Sequence, residues 1–216
     1  MGLPLCQKSC SRMLLILAPL LLLALLPVFW LAWGVLGSTS SGQATAPAAD
    51  KPARKPDVIY VPTPQEVVDK MLELAEVKKG DIIYDLGCGD GRIPVTAAKK
   101  YGVKAWGFDI DPERIQESLE NVKKNKVEKL VTIANRDIFT LDLSKASVVT
   151  LYLLPTLNVK LIPQLEKLKP GSRIVSHDFD MKGVKPDKEI TFETDGEEHT
   201  LYLWITPLKK EKAEKQ

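Results

Sequence analysis

Ile82-Ile83-Tyr84-Asp85-Leu86-Gly87-Cys88-Gly89-Asp90-Gly91 is an apolar run that breaks into alternating glycines. The run has the composition of a buried strand, and the glycines mark a tight loop. Arg92 to Tyr101 follows with helical periodicity, so the stretch reads strand, loop, helix. Glycine adopts positive φ without steric penalty and lets a second molecule approach the backbone. Gly87, Gly89 and Gly91 can therefore bend the chain beneath a ligand, with the free N–H groups of the helix start facing it. The spacing is G-x-G-x-G, not the G-x-G-x-x-G of dinucleotide sites. Taken alone, such a turn can also be a plain connection in a parallel sheet.

Two further carboxylates fall where a nucleoside-binding sheet needs them. Ala105-Trp106-Gly107-Phe108-Asp109 reads as a second buried strand whose acid lies 24 residues after Asp85. A carboxylate there can accept hydrogen bonds from both hydroxyls of a ribose. A third strand, Leu130-Val131-Thr132-Ile133-Ala134, leads into Asn135-Arg136-Asp137-Ile138, where Asp137 sits beside an exposed backbone amide, at Ile138, able to read an adenine edge. Asp137 could equally be a loop residue.

With these residues in view, the chain from about residue 60 to 207 resembles the class I S-adenosylmethionine-dependent methyltransferases. Asp85-Leu86-Gly87-Cys88-Gly89-Asp90-Gly91 matches their first motif, Asp109 their ribose-binding acid and Asp137 their adenine-side acid. A narrower resemblance is to the membrane-anchored lysine methyltransferases of mitochondria and their bacterial relatives. It rests on Thr63-Pro64 before a helix, Gly89-Asp90-Gly91-Arg92-Ile93, and a hydrophobic segment near the N-terminus. The resemblance implies S-adenosyl-L-methionine as cofactor and a protein lysine as methyl acceptor. It also implies that the segment around Thr63 closes over the cofactor; the alternative is a simple helix start.

The 216 residues, 44% hydrophobic and 27% charged, suit one domain of moderate size with appendages. A net charge of +2 from 30 basic and 28 acidic residues gives no global attraction to nucleic acid, and none is expected as a partner. Cys6, Cys10 and Cys88 are too few and too scattered for a disulfide framework or a cysteine zinc site. Cys88 is expected to pack inside the glycine loop, while Cys6 and Cys10 are open to acylation or remain plain thiols.

Residues 13–37 run for 25 positions without a charged side chain, enough to cross a hydrocarbon core of ~30 Å at ~1.5 Å per residue. Trp30 and Trp33 near one end suit an interface. A cleaved signal peptide is the competing reading, with Lys8 and Arg12 as its basic region and Ala44-Thr45-Ala46 as its cleavage site. The apolar run exceeds the ~7–15 residues of an h-region, which favours an uncleaved, single-pass anchor. Lys8 and Arg12 favour the N-terminus inside, which would put the domain outside. The donor is made in the cytosol or carried into organelles, so the catalytic domain is expected on the donor-containing, cytosolic side.

The division expected is a basic segment at 1–12, the anchor at 13–37, a flexible Ser/Gly/Ala/Pro-rich linker at 38–56, a methyltransferase domain at 57–207 and a charged, solvated tail at 208–216. Thr63-Pro64-Gln65-Glu66 has the pattern of a capping threonine, a first-turn proline and a capping-box glutamate. Asp111 and Pro112 begin another helix, running to about Asn125. Strands are expected at 148–152 and 173–178, with a helix at 157–168 between them. Residues 190–193 and 201–205 flank Asp195-Gly196 as a terminal antiparallel pair with a longer connection. This is βαβ grammar. The fold class is α/β: a doubly wound, mostly parallel seven-stranded Rossmann-like sheet with a terminal hairpin, preceded by one transmembrane helix.

A sulfonium already makes its methyl group electrophilic, so the protein's work is alignment and exclusion of water, and no metal is required. Doubly wound geometry gathers reacting groups at the carboxyl ends of the first, fourth and fifth strands. That points to Tyr152, His177 and Asp178, although adjacent strand residues face opposite ways and His177 and Asp178 are not expected to act together. Tyr152 could instead only pack in the core. Tyr152-Leu153-Leu154-Pro155 stands where amide and nucleobase-amine methyltransferases carry Asn-Pro-Pro-Tyr. The acceptor stays open between a protein lysine and a small or lipid-like molecule. A nicotinamide oxidoreductase lacks its motif here, and a membrane-tethered binding module without catalysis remains as a third class.

Overall fold

The computed structural model describes residue 55 and residues 59–211. The expected anchor at 13–37 lies outside the described residues, as do residues 1–12, most of the linker and the tail from 212 onward. Among the described residues no helix is long and apolar enough to cross a membrane.

Seven strands form one sheet: β1 (Ile82–Leu86), β2 (Lys104–Asp109), β3 (Val131–Asn135), β4 (Val148–Leu151), β5 (Arg173–His177), β6 (Lys188–Thr194) and β7 (Glu197–Ile205). Their order is β3-β2-β1-β4-β5-β7-β6, parallel from β3 to β5, with β7 antiparallel to both its neighbours. The chain leaves β1 towards β2 on one side and reaches β4 on the other, so the order reverses at β1. Crevices for ligands open at such a reversal, outside the carboxyl ends of the strands.

Helices α1 (Gln65–Leu74), α2 (Arg92–Tyr101), α3 (Pro112–Lys124) and α4 (Pro155–Leu165) complete the fold. Strand alternation splits the core in two. Ile83, Val148 and Val175 pack with Val68, Met71, Ala97 and Val122 beneath α1, α2 and α3. Their neighbours Tyr84, Val149 and Ile174 face the other way, onto Leu161 and Leu165 of α4 and onto Trp204. The central strands are buried on both faces, which is why they read as unbroken apolar runs.

Several boundaries differ from the sequence expectation. Thr63 does not cap α1; Pro64 is the flanking residue, its carbonyl accepting from Val68 N–H at 3.0 Å, and Glu66 reaches Thr194 Oγ1 at 2.5 Å. Helix α4 starts at Pro155, two residues earlier than expected, because proline's fixed φ suits a first helical position. Asp195 and Gly196 both have positive φ, at 54° and 80°, so β6 and β7 join in a two-residue turn and not a longer connection. Residues 208–211 are not free tail: Lys185 N–H donates to Lys209 O and Glu211 N–H to Gly183 O. Asp111 does cap α3, accepting from Glu113 N–H at 2.9 Å with Pro112 first in the helix.

Candidate functional site

The glycine loop is tied down by its own amides. Gly87 and Cys88 N–H both donate to Phe108 O, Gly91 N–H donates to Cys88 O, and Gly89 N–H donates to Asp109 Oδ2 at 3.0 Å. Ser118 and Asn121 of α3 hold the carbonyls of Gly89 and Asp90. The start of α2 is also occupied: Arg92 N–H goes to Asp90 Oδ1, Val95 N–H to Gly91 O, and Pro94 has no N–H. The expected row of amides facing a ligand is thus mostly spent on protein partners. The loop offers shape, not the anion cradle of a phosphate site.

Gly87, Gly89 and Gly91 all have positive φ. At Gly89 a Cβ would stand 2.2 Å from Cε2 of Tyr60, so the loop can hold only glycine there while that ring lies on it. Arg114 stacks on the Tyr60 ring at 4.8 Å. Arg92 pairs with Asp90 and donates to Thr63 O at 2.8 Å. Residues 59–63 are thereby strapped across the loop.

Beneath the strap lies a cavity of about 320 Å³. Of the sequence candidates, Thr63, Asp85, Gly87, Asp109, Asp137, Ile138 and Tyr152 stand on its wall. Gly89, Gly91, His177 and Asp178 do not. Asp85 is fully buried; its Oδ1 accepts from Thr150 Oγ1 at 2.7 Å, while Oδ2 has no hydrogen-bond partner. Burial pushes this carboxyl up to about 7 against the Thr150 hydrogen bond, and Asp109 and Asp90 push it further the same way. Asp109 holds Gly89 N–H with one oxygen and Asp111 N–H with the other. Asp137 accepts from Phe139 N–H at 3.0 Å, heading a 3-10 turn at Ile138–Thr140.

His177 is buried behind the wall, its ring 4.0 Å from that of Tyr152, with Phe179 on the tyrosine at 5.9 Å. Burial lowers the imidazole below its ordinary value, against the pull of Asp178, so the ring is neutral at pH 7. The expectation that His177 and Asp178 point apart is overturned: Asp178 Oδ2 lies 3.2 Å from His177 Nε2. Asp178 follows the last residue of β5 and takes φ 56°, which breaks the strand alternation and turns the carboxylate back. Sequence reasoning missed Tyr60, Arg92, Arg114, Leu153 and His199. Arg92 lay within the quoted motif, two residues from Asp90 and at the head of α2, whereas Tyr60 and His199 carry no local signal.

The unpartnered buried oxygen of Asp85, the carboxylates of Asp109 and Asp137 on the same wall and a cavity within the ~300–1,000 Å³ of small-molecule sites fit an S-adenosylmethionine molecule. Residues 85–188 match the family described as ANTKMT methyltransferase domain. The chain is 51% identical over 152 residues to a protein-lysine N-methyltransferase of Saccharolobus islandicus, covering 69% of this chain and 94% of that one. It is 26% identical over 163 residues to a human lysine N-methyltransferase named for an ATP synthase component, 72% of this chain and 69% of the relative. A solved structure, described as an RNA methyltransferase from Salinibacter ruber in complex with S-adenosyl-L-homocysteine, superposes with TM-score 0.64 at 49% identity, covering 68% of this chain and 94% of the other. Fold and cavity define an S-adenosylmethionine-dependent methyltransferase. The chain belongs to the ANTKMT methyltransferase-domain family.

Proposed function

We propose that this methyltransferase acts on a lysine amine of a protein, working from a membrane-tethered position. The observation that carries the acceptor class is the charge of the cavity wall. It holds four carboxylates, on Asp90, Asp109, Asp111 and Asp137, and the partly protonated Asp85, against two guanidinium groups, on Arg92 and Arg114, and no lysine. Both arginines are already paired with carboxylates. Such a wall attracts a cationic side chain and repels a phosphodiester backbone. The names of the Saccharolobus and human relatives support the same class.

S-adenosylmethionine supplies a methyl group made electrophilic by its sulfonium. In this reading Asp109 holds the ribose hydroxyls, Asp137 and the Ile138 amide meet the adenine edge, and Asp85 Oδ2 accepts from a polar group deeper in the cavity. Gly87, Gly89 and Gly91 keep the loop close without side chains, and Thr63 closes the strap. Tyr152 orients the incoming amine, which must be neutral to attack. His177 and Asp178 set the position of Tyr152 from behind. The uncharged run at 13–37 supports an anchor and the composition of 38–56 a tether, with the domain on the donor-containing side of the membrane.

The Salinibacter protein's description names a different acceptor, so RNA is the rival to be tested. The purified full-length chain is incubated with a membrane extract and donor carrying a labelled methyl group. The label should be lost to protease, resist ribonuclease and organic extraction, and be recovered after hydrolysis as methyl-lysine. Ribonuclease-sensitive label would overturn the protein acceptor, and label extracted with lipid would move the activity to a membrane-borne small molecule.

A further inference from the structure

Behind Tyr152 the ends of two strands bring three donor atoms to one point. His177 closes β5 and pairs with Leu201 on β7; His199 lies two residues before Leu201 and so faces the same side of the sheet. His177 Nε2 and His199 Nδ1 are 3.0 Å apart, and Asp178 Oδ2 lies 3.2 Å from the first and 3.6 Å from the second. Two of the three groups are also gripped from their far sides. His177 Nδ1 meets Thr63 Oγ1 at 3.2 Å, and Asp178 Oδ1 accepts from Thr200 N–H at 2.9 Å. Both histidines are buried, whereas Asp178 keeps 29% of its side chain exposed, which leaves a path from solvent.

Each imidazole nitrogen has one in-plane direction, used either by a proton or by a lone pair. With the His177 proton on Nδ1 and aimed at Thr63, Nε2 presents a lone pair to the centre of the triangle. A proton on His199 Nδ1 then satisfies one edge and leaves Asp178 Oδ2 against that lone pair at 3.2 Å. A cation at the centre removes the conflict on all three edges. Zinc bonds of ~2.0–2.2 Å in tetrahedral array hold donor atoms about 3.3 Å apart, which is the size of this triangle. Ligating histidines commonly fix their second nitrogen by hydrogen bonding, and ligating carboxylates their second oxygen. His177 shows the first feature, through Thr63, and Asp178 the second, through Thr200.

We propose that His177, Asp178 and His199 form a binding site for a divalent first-row transition ion, Zn²⁺ foremost, with the fourth position open to water. The site lies beside the methyl-transfer cavity, and nothing in the transfer is routed through it. It clips β5 to β7 at their open ends and, through His177, fixes Thr63. Thr63 stands on the cavity wall and its carbonyl is held by Arg92, so the ion braces the strap over the glycine loop. The rival arrangement is a shared hydrogen bond, with His177 Nε2–H divided between Asp178 and His199 and Thr63 donating to Nδ1. The proposal does not depend on the identity of the methyl acceptor.

The test is a titration of the full-length, tag-free chain with Co²⁺, whose visible bands report tetrahedral coordination, followed by displacement with Zn²⁺. Cys6→Ser and Cys10→Ser are introduced first, so that thiols outside the domain cannot compete. One equivalent should bind and bleach on adding Zn²⁺. His199→Gln should weaken binding by more than the ~10–100-fold that loss of an outer-shell partner costs, and Thr63→Ala should fall within that range. If His199→Gln unfolds, Asp178→Asn serves instead: it retains an acceptor for Thr200 N–H and a residue type that tolerates positive φ, and it should also weaken the ion by at least ~10-fold. A folded chain that binds no ion, binds it equally in both variants, or shows thiolate-to-cobalt bands would overturn the site in favour of the shared hydrogen bond or of Cys88.

Discussion

The carboxyl ends of β1, β2 and β3 form one half of a rim, the carboxyl ends of β4 and β5 with the amino-terminal part of the antiparallel β7 form the other, and the two are built in opposite ways. In the first half each acid is held by amides close by in the chain or by the neighbouring strand: Asp109 by Gly89 and Asp111, Asp137 by Phe139, Asp85 by Thr150. In the second half the contacts of the His177 ring run from side chain to side chain, Thr63 with His177, Tyr152 with His177, His177 with His199. A rim fixed by local backbone is ready before its ligand arrives. One assembled from the side chains of several strands and of the strap depends on the whole sheet closing correctly.

The comparison breaks most visibly at Asp85, the one acid of the first half that is not satisfied. Its folded-state carboxyl, at about 7 through burial, stands above the 3.8 of the unfolded chain. The folded state therefore binds this proton more tightly. The stabilisation is complete below about pH 4 and is lost as pH rises through about 7, by up to ~4 kcal/mol for the donor-free chain. Thr150, Asp109 and Asp90 are the groups facing it. Asp85→Asn removes the titration, so its unfolding free energy between pH 5 and pH 8 should fall less than that of the wild type. Denaturant unfolding at the two pH values measures this, and equal slopes in both proteins would show that Asp85 is not the group responsible.

Asp109 sharpens the comparison with a smaller effect. Removing charge-assisted hydrogen bonds worth roughly 1.5–3 kcal/mol predicts about a 10- to 150-fold loss of S-adenosylmethionine affinity in Asp109→Ala. Both carboxylate oxygens already accept backbone N–H groups, so Asp109→Asn must set its amide nitrogen against one of them. It should fall between wild type and alanine. Calorimetric titration decides, and an unchanged affinity in folded Asp109→Ala would remove this residue from the donor site.

How much could be read before the structure follows the same division. Asp85, the glycines, Asp109 and Asp137 stand in a row because each lies at or just past the end of a consecutive strand, and strand, loop and helix are local patterns. The sheet was legible for the same reason, down to the Asp111 cap. Tyr60 on Gly89 and His199 beside His177 were not, since no spacing links residues 29 or 22 positions apart to a common point. The alternation rule also failed at Asp178, where one residue with positive φ reverses a side chain. The glycine loop was read correctly as a bend, but the amides at the start of α2 were read as free, whereas Arg92 N–H is taken by the Asp90 side chain and Val95 N–H by Gly91 O.

Tyr152 lies where the two halves meet, and the smallest expected effect falls there. It follows β4, stands on the cavity wall with Asp85 and Asp109, and is held through its ring by His177 and Phe179. A ring gripped by its faces keeps its plane when the hydroxyl is removed, so Tyr152→Phe should leave stability and donor affinity unchanged. If the hydroxyl orients the attacking amine, single-turnover transfer should slow by about tenfold, or ~1.4 kcal/mol of transition-state stabilisation. Tyr152→Ala removes the ring on which His177 packs and should lose stability and transfer together. Wild-type single-turnover rates in Tyr152→Phe would reduce Tyr152 to a packing residue. The acceptor would then be steered from the strap side, by Tyr60 and its neighbours, and the second half of the rim would serve only as its support.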